Sequence, residues 1–294
     1  MHGLRLFLAR LLFGSSPLLA GARALDGSEV VIEAATPESL APVNVEEQAR
    51  RAREGDEAAI RAWEAEEASL DVIRRRGLDL YQRHQATILA LEAVAELELG
   101  DELPSGWITS RRGNEVRVRF VSNCEEIGPC SLIDVDVDAR GLSARSLFPP
   151  EPLTEAEQAS WRGRQLLFET QTSQCDEPYN AVLMPDGPEG RWIGYLIAQP
   201  ADAERMAVGG HMSVLLNADA SRVIEGRDLM NRCVVVQRPP ATQPIAITRP
   251  AAQLPSALHV FTSLLNERVL FVATSGGTWR VNGDVVERVG APPP

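Results

Sequence analysis

Hydrophobic and polar positions change their period several times along this chain. Ile60, Trp63, Leu70 and Ile73 recur at helical separations, and so do Tyr81, His84, Ile88, Leu91 and Ala95. Asp56, after Gly55, is placed as the N-cap of the first helix, with Arg74, Arg75 and Arg76 in its last turn and Gly77 just beyond it. The second stripe predicts a helix from about Asp79 to Leu99, with Gly100 and Pro104 after it. An interior glycine costs only about 1 kcal/mol, so the segment 44–103 is read as two helices or one bent helix.

From Glu115 the period becomes two. "EVRVRFV" alternates Val116, Val118 and Phe120 with Arg117 and Arg119, and "IDVDVD" alternates Ile133, Val135 and Val137 with Asp134, Asp136 and Asp138. These runs predict an antiparallel hairpin with one wet face. Thr154 and Glu157 are spaced as a capping box and open a short helix near 154–168. Strands are expected at Tyr179 to Met184, Arg191 to Ala198, around His211, and at Arg222 to Leu229. A Pro-rich linker near 239–257 precedes three further sheet elements, "LHVFTSLL", "RVLFVAT" and "TWRVNGDVV", the last turning through Asn282-Gly283 as type I′. Helices segregated in sequence from strands define an α+β fold: an N-terminal helical segment packed on a predominantly antiparallel β-sheet body, 107–290.

The N-terminus alters the chain's expected location. Arg5 and Arg10, an apolar run from Leu11 interrupted by Gly14 and Pro17, and the ending Ala22-Arg23-Ala24 make residues 1–24 a secretory signal peptide. Residues 25–43 have no sustained period and read as an extended lead-in. No transmembrane segment is expected after cleavage, and the mature protein is assigned to the periplasm or the secreted fraction. Losing Arg5, Arg10 and Arg23 and no acid takes the formal charge from −12 to about −15. Such a surface repels phosphate backbones, so nucleic acid is not the expected partner. An even set of cysteines in an exported chain points to disulfides, paired here as Cys124 with Cys130 and Cys175 with Cys233.

Composition also removes chemistries. All 29 basic residues are arginine, which excludes a P-loop lysine, Schiff-base chemistry and Ser–Lys dyads. There is no dinucleotide glycine fingerprint, H-E-x-x-H or G-x-S-x-G, and no C-x-x-C spacing for zinc. No cofactor is expected. Two constellations invite a functional reading. Asp134, Asp136 and Asp138 project from one strand face and suit either a hard cation or cross-strand ion pairs with Arg117 and Arg119. A direct Cys124–Cys130 pairing in a regular ladder would set Arg117 against Val137, so the ion-pair reading needs a bulge or an off-register loop.

The second constellation surrounds "VGGHMSV". With the hairpin turning through "NADAS", His211 faces Arg227 and Ser213 faces Glu225, a polar patch on one sheet face whose ring is at least partly exposed. A flat strand lacks the sharp turn and oxyanion donors of a serine nucleophile, so the patch reads as structural or ligand-binding. Gly209 and Gly210 mark a bulge with positive φ at one of them. Exposed aromatics such as Trp192 or Tyr195 on such a face would favour binding, and a deep cleft holding two facing carboxylates would favour catalysis. The expected function is an exported binding or interaction protein with an unknown protein or small-molecule envelope partner. The alternatives are an envelope hydrolase with a carboxylate or Ser/His site, and a structural or assembly component.

Overall fold

The computed structural model describes residues 45–97, 103–169, 178–186, 190–200, 202–228, 233–240, 242–249 and 252–291. The segment 1–24 expected to be a signal peptide, the expected lead-in 25–43 and Cys175 lie outside the described residues. Two helices, α1 (Val45–Glu67) and α2 (Leu70–Ala95), are followed by β1 (Gly106–Arg112), β2 (Glu115–Cys124), β3 (Gly128–Asp138) and β4 (Gly141–Pro152), a meander in spatial order β1-β2-β3-β4. Helix α3 (Glu155–Glu169) leads into β5 (Tyr179–Asp186), β6 (Arg191–Ala198), β7 (Arg205–Ala207), β8 (Met212–Leu216), β9 (Val223–Asp228) and β10 (Val235–Gln237). Strands β5-β6-β8-β9 form a second antiparallel sheet, and β7 pairs with β10 in a two-stranded sheet. The last unit is β11 (Ile245–Arg249), α4 (Ala257–Asn266), β12 (Val269–Thr274), β13 (Gly277–Asn282) and β14 (Val285–Gly290). Its sheet is ordered β11-β12-β13-β14, with β11 and β12 parallel across α4. The fold is α+β with mostly antiparallel sheets, as the separation of periods predicts.

The helix break is not at Gly77. Helix α1 runs through Gly55 and Asp56, and the chain breaks at Ala68-Ser69, with Ser69 in extended geometry ahead of α2. Gly77 sits inside α2, where a β-carbon would stand 2.5 Å from Val260 Cβ and 2.7 Å from the Ala257 carbonyl oxygen. The glycine permits close approach of α2 and α4. Replacing Gly77 with alanine therefore sets a gain in helix propensity of about 1 kcal/mol against an overpacked backbone contact of about 1–3 kcal/mol. Net destabilisation is expected, read as a lower urea midpoint; an unchanged or raised midpoint would contradict this packing.

"LHVFTSLL" is helix α4, not a strand. A short apolar run has no period that separates a buried strand from a buried helix. Here Ser256 precedes the helix, its backbone N–H donating to His259 Nδ1 at 3.0 Å, so His259 takes the glutamate's place in a capping box. Leu258, Val260, Phe261 and Thr262 are buried on several sides of α4, between α2 and the sheets. The β13–β14 turn also differs by one residue. Asn282 pairs with Val285, leaving Gly283 and Asp284 at the corner with φ 59° at Gly283 alone, as type II′ rather than I′ requires.

In the first sheet Cys124 and Cys130 form a disulfide with Cα atoms 6.0 Å apart. The register shifts at Phe120/Val121, so Cys130 pairs with Ser122 while Arg117 opposes Asp136 and Arg119 opposes Asp134. This bulge lets the disulfide and the cross-strand ion pairs coexist. Cys233 is also disulfide-bonded; its expected partner, Cys175, is outside the described residues.

A buried ion network staples α1 and α2 to the second sheet. Arg76 contacts both Glu66 and Asp186, while Arg191 Nη2 stands 3.5 Å from Asp186 and 3.8 Å from Glu66. Burial lifts the Asp186 carboxyl above its usual range, against the pull of Arg76 and Arg191.

Candidate functional site

Three histidines far apart in sequence meet in the interior. His84 comes from α2, His259 from α4, and His211 from the segment entering β8. His84 is buried on the apolar face of its helix, as its place in the stripe implies. His211 is 1 % exposed, which corrects the expectation of a partly exposed ring. It stands before the β8 ladder rather than within it, and Gly210, with φ 79°, turns the chain so that the imidazole points inward. The positive φ is as expected, although it marks a bend ahead of the strand.

His211 is stitched in place. Its Nδ1 accepts from the Ala198 N–H at 3.2 Å, and it also hydrogen-bonds the backbone of Ala207. Gly210, just before it, accepts from the Tyr179 hydroxyl at 3.0 Å. Truncating His211 would strip a partner from the Ala198 N–H inside the core, so its removal is not the silent change a surface residue would allow. Phe261 lies between His211 and His84, its ring 6.3 Å from the first and 5.4 Å from the second, edge-on to each. His84 Nδ1 is 3.2 Å from the Asn180 amide nitrogen; with Nδ1 accepting, the ring proton is on Nε2.

Burial holds all three rings neutral. The His84 pKa is pushed down to about 4 by desolvation and then by the charge of His211; His211 is pushed down to about 4 by desolvation, and His259 to about 3 by desolvation followed by Arg249 and His211. His84 and His211 line a cavity of about 200 Å³ with Gln199, Asn266, Arg205, Arg238 and the acidic Asp202. Gln199 Nε2 stands 3.4 Å from His84 Nδ1, and Asn266 is oriented by its own bond to the Thr262 carbonyl at 2.9 Å. The lining is rich in hydrogen-bond donors. Among the described residues no group of three His, Cys, Asp or Glu side chains is arranged to hold a metal ion.

The remaining polar patch is built differently from the sequence expectation. Ser213 pairs with Arg227 and Leu215 with Glu225, a slip of two residues accommodated by a register shift at Leu215/Leu216. Ser213 is buried in the ladder beside Tyr195, and the Arg227 side chain lies outside the described part. Trp192 and Tyr195 are core residues, not an exposed binding face. Trp192 Nε1 donates to the Ala218 carbonyl at 3.0 Å, and burial raises the Tyr195 phenol far above its ordinary range.

The three aspartates are taken up by guanidinium groups. Asp134 receives Arg119 Nε at 2.8 Å and the Ser131 hydroxyl at 2.9 Å, with Arg145 at 3.4 Å and Arg117 at 3.6 Å. Asp136 is gripped by Arg117 at 2.5 and 2.7 Å, bonds that hold its carboxyl below the usual range. Asp138 pairs with exposed Arg140.

Gln199, Arg205, Arg238 and Asn266 are cavity residues that sequence reasoning missed. They come from separate elements and share no spacing. Only the rarity of histidine, with three of four on apolar segments, hinted at their meeting point. A scan against protein-family models and searches among curated proteins and solved structures found no match to this chain.

Proposed function

We propose that this chain is an exported binding protein of the cell envelope that takes a small, acceptor-rich molecule into the His84/His211 cavity. The observation that carries this reading is the convergence of guanidinium, amide and neutral imidazole groups on one cavity of about 200 Å³. That volume is below the usual range for drug-sized ligands and suits a compact polar metabolite. The donors favour a ligand bearing carbonyl or hydroxyl oxygens, and Asp202 on the same lining can accept from a ligand hydroxyl. Binding is favoured over hydrolysis because His211 is bonded on its ring to two backbone sites, which leaves it poorly placed to take a proton from a substrate. Export rests on the signal-like N-terminus and the disulfide chemistry. No helix among the described residues is long and apolar enough to cross a membrane.

The test is native mass spectrometry of the protein purified gently from envelope extract, beside an Ala203→Trp variant that plugs the cavity at exposed Ala203. The expected result is a chain beginning at Leu25, with a bound small molecule on the wild type that is absent from the variant. Ligand-free masses for both would defeat the binding reading, and a chain retaining Met1 would defeat export.

A further inference from the structure

The His84/His211 cavity carries opposite charges that do not meet each other. Arg238 is held by its Nε, which donates to the Ala203 carbonyl at 3.0 Å, and Asp202 accepts the Glu204 N–H at 2.8 Å on Oδ1. Both residues are exposed on the lining, and among the described residues neither forms an ion pair. The Arg238 Nη groups and Asp202 Oδ2 are therefore open to a ligand. Arg205, also on the lining, takes part in other interactions.

Asn266, on the same lining, is 6 % exposed and is the last residue of α4. Its Nδ2 donates to the Thr262 carbonyl at 2.9 Å, which assigns the other terminal atom as the acceptor oxygen. That Oδ1 receives no hydrogen bond and retains solvent-accessible surface. The last carbonyls of α4 add partial negative charge at the same end of the helix. The lining thus offers a cation two oxygen partners beside a helix C-terminus, and it offers an anion a guanidinium. Ala198, Pro200, Met206 and Leu265 supply apolar wall.

We propose that this cavity binds a zwitterionic α-amino acid with a short aliphatic side chain. The proposal rests on the reading of the cavity as a ligand site and names the ligand's class. The carboxylate accepts from the Arg238 Nη groups, the ammonium donates to Asp202 Oδ2 and Asn266 Oδ1, and the aliphatic group lies on Met206 and Leu265. A zwitterion answers both charges at once and brings no net charge into the cavity. A carboxylate alone meets the charge of Asp202 and leaves Asn266 Oδ1 without a donor. An amine alone meets the charge of Arg238 and gives it no acceptor. The two imidazoles are neutral and leave this balance unchanged.

The test titrates alanine, valine and the neutral polyol erythritol into the disulfide-intact protein while the Met206 methyl resonance is followed by NMR. Propionate and ethylammonium serve as alanine without its ammonium and without its carboxylate; isovalerate and isobutylammonium do the same for valine. At least one amino acid is expected to shift Met206 saturably and to bind about tenfold more tightly than either of its own analogues, the discrimination of one charge-assisted hydrogen bond. Arg238→Gln is expected to weaken that amino acid about tenfold without weakening its amine analogue. Asp202→Asn, which keeps an oxygen for the Glu204 N–H, is expected to weaken the amino acid without weakening the carboxylate analogue. Equal affinity for an amino acid and its analogues, or unchanged amino-acid affinity in either variant, would overturn the proposal. A response to erythritol alone would overturn it and leave the binding reading standing. No response to any probe would overturn it whatever native mass spectrometry finds, and ligand-free native masses besides would remove the binding reading as well.

Discussion

Lowering the pH from 7 to 5 is expected to remove about 5 kcal/mol of folding stability, through the three buried imidazoles. In the folded protein their pKa values lie near 4 for His84, 4 for His211 and 3 for His259, against an ordinary value of 6.5. The unfolded chain therefore binds protons that the folded chain refuses. Stability is intact above the unfolded value, falls as pH drops below 6.5, and stops falling only below the folded values. At pH 5 each ring costs about 2 kcal/mol, and a domain holds only about 5–15 kcal/mol in all. Asp186, raised by burial, works in the opposite direction and offsets part of the loss. Urea midpoints at pH 7, 6 and 5 measure the effect. A midpoint unchanged between pH 7 and 5 would mean that the rings are hydrated or can protonate where they stand.

Asp134→Asn is expected to cost about 3–5 kcal/mol, a large fraction of a domain's total stability. Asp134 is 1 % exposed, and Arg117, Arg119 and Arg145 all reach it, so removing its charge strands guanidinium groups in the sheet. Arg119 keeps Glu157 at 2.9 Å and Glu151 at 2.7 Å, which places the expected cost toward the low end. Asp138→Asn, which breaks only the exposed pair with Arg140, is expected to leave the midpoint unchanged. Equal effects at the two positions would show that burial does not govern this ladder. A midpoint that rises on adding calcium to the wild type would instead favour a cation site.

The contrast between those aspartates marks how far local pattern reaches. Alternation in "EVRVRFV" and "IDVDVD" was enough to pair the strands, and the cysteine spacing set against the ion pairs left a bulge, an off-register loop or another cysteine pairing as the choices, of which the structure has the register shift at Phe120/Val121. It could not say that Asp134 is sealed while Asp138 is open, because that depends on Arg145 of β4 and on α3, which brings Glu157 to Arg119. The candidate site was less legible. His84 was legible as a buried position because a helical stripe fixes its face. His211 was not, since one bend at Gly210 carries it out of the strand's alternation and a slip of two residues re-pairs Ser213 and Glu225.

Sequence by itself determined the helical class of the N-terminal segment, the strand class of β2 and β3 and the α+β order, and it made Cys124–Cys130 and the Arg–Asp pairs expected pairings that the structure then showed. All of these follow from periods and spacings within a few dozen residues. Tertiary structure alone decided that Gly77 continues a helix, because its missing β-carbon is filled by Val260 from 183 positions later. It decided that "LHVFTSLL" coils rather than extends, because burial on several sides suits a helix wedged between α2 and the sheets. It also decided that His84, His211 and His259 share one interior. Their pKa values arise from desolvation, which depends on what every other part of the chain excludes from that space.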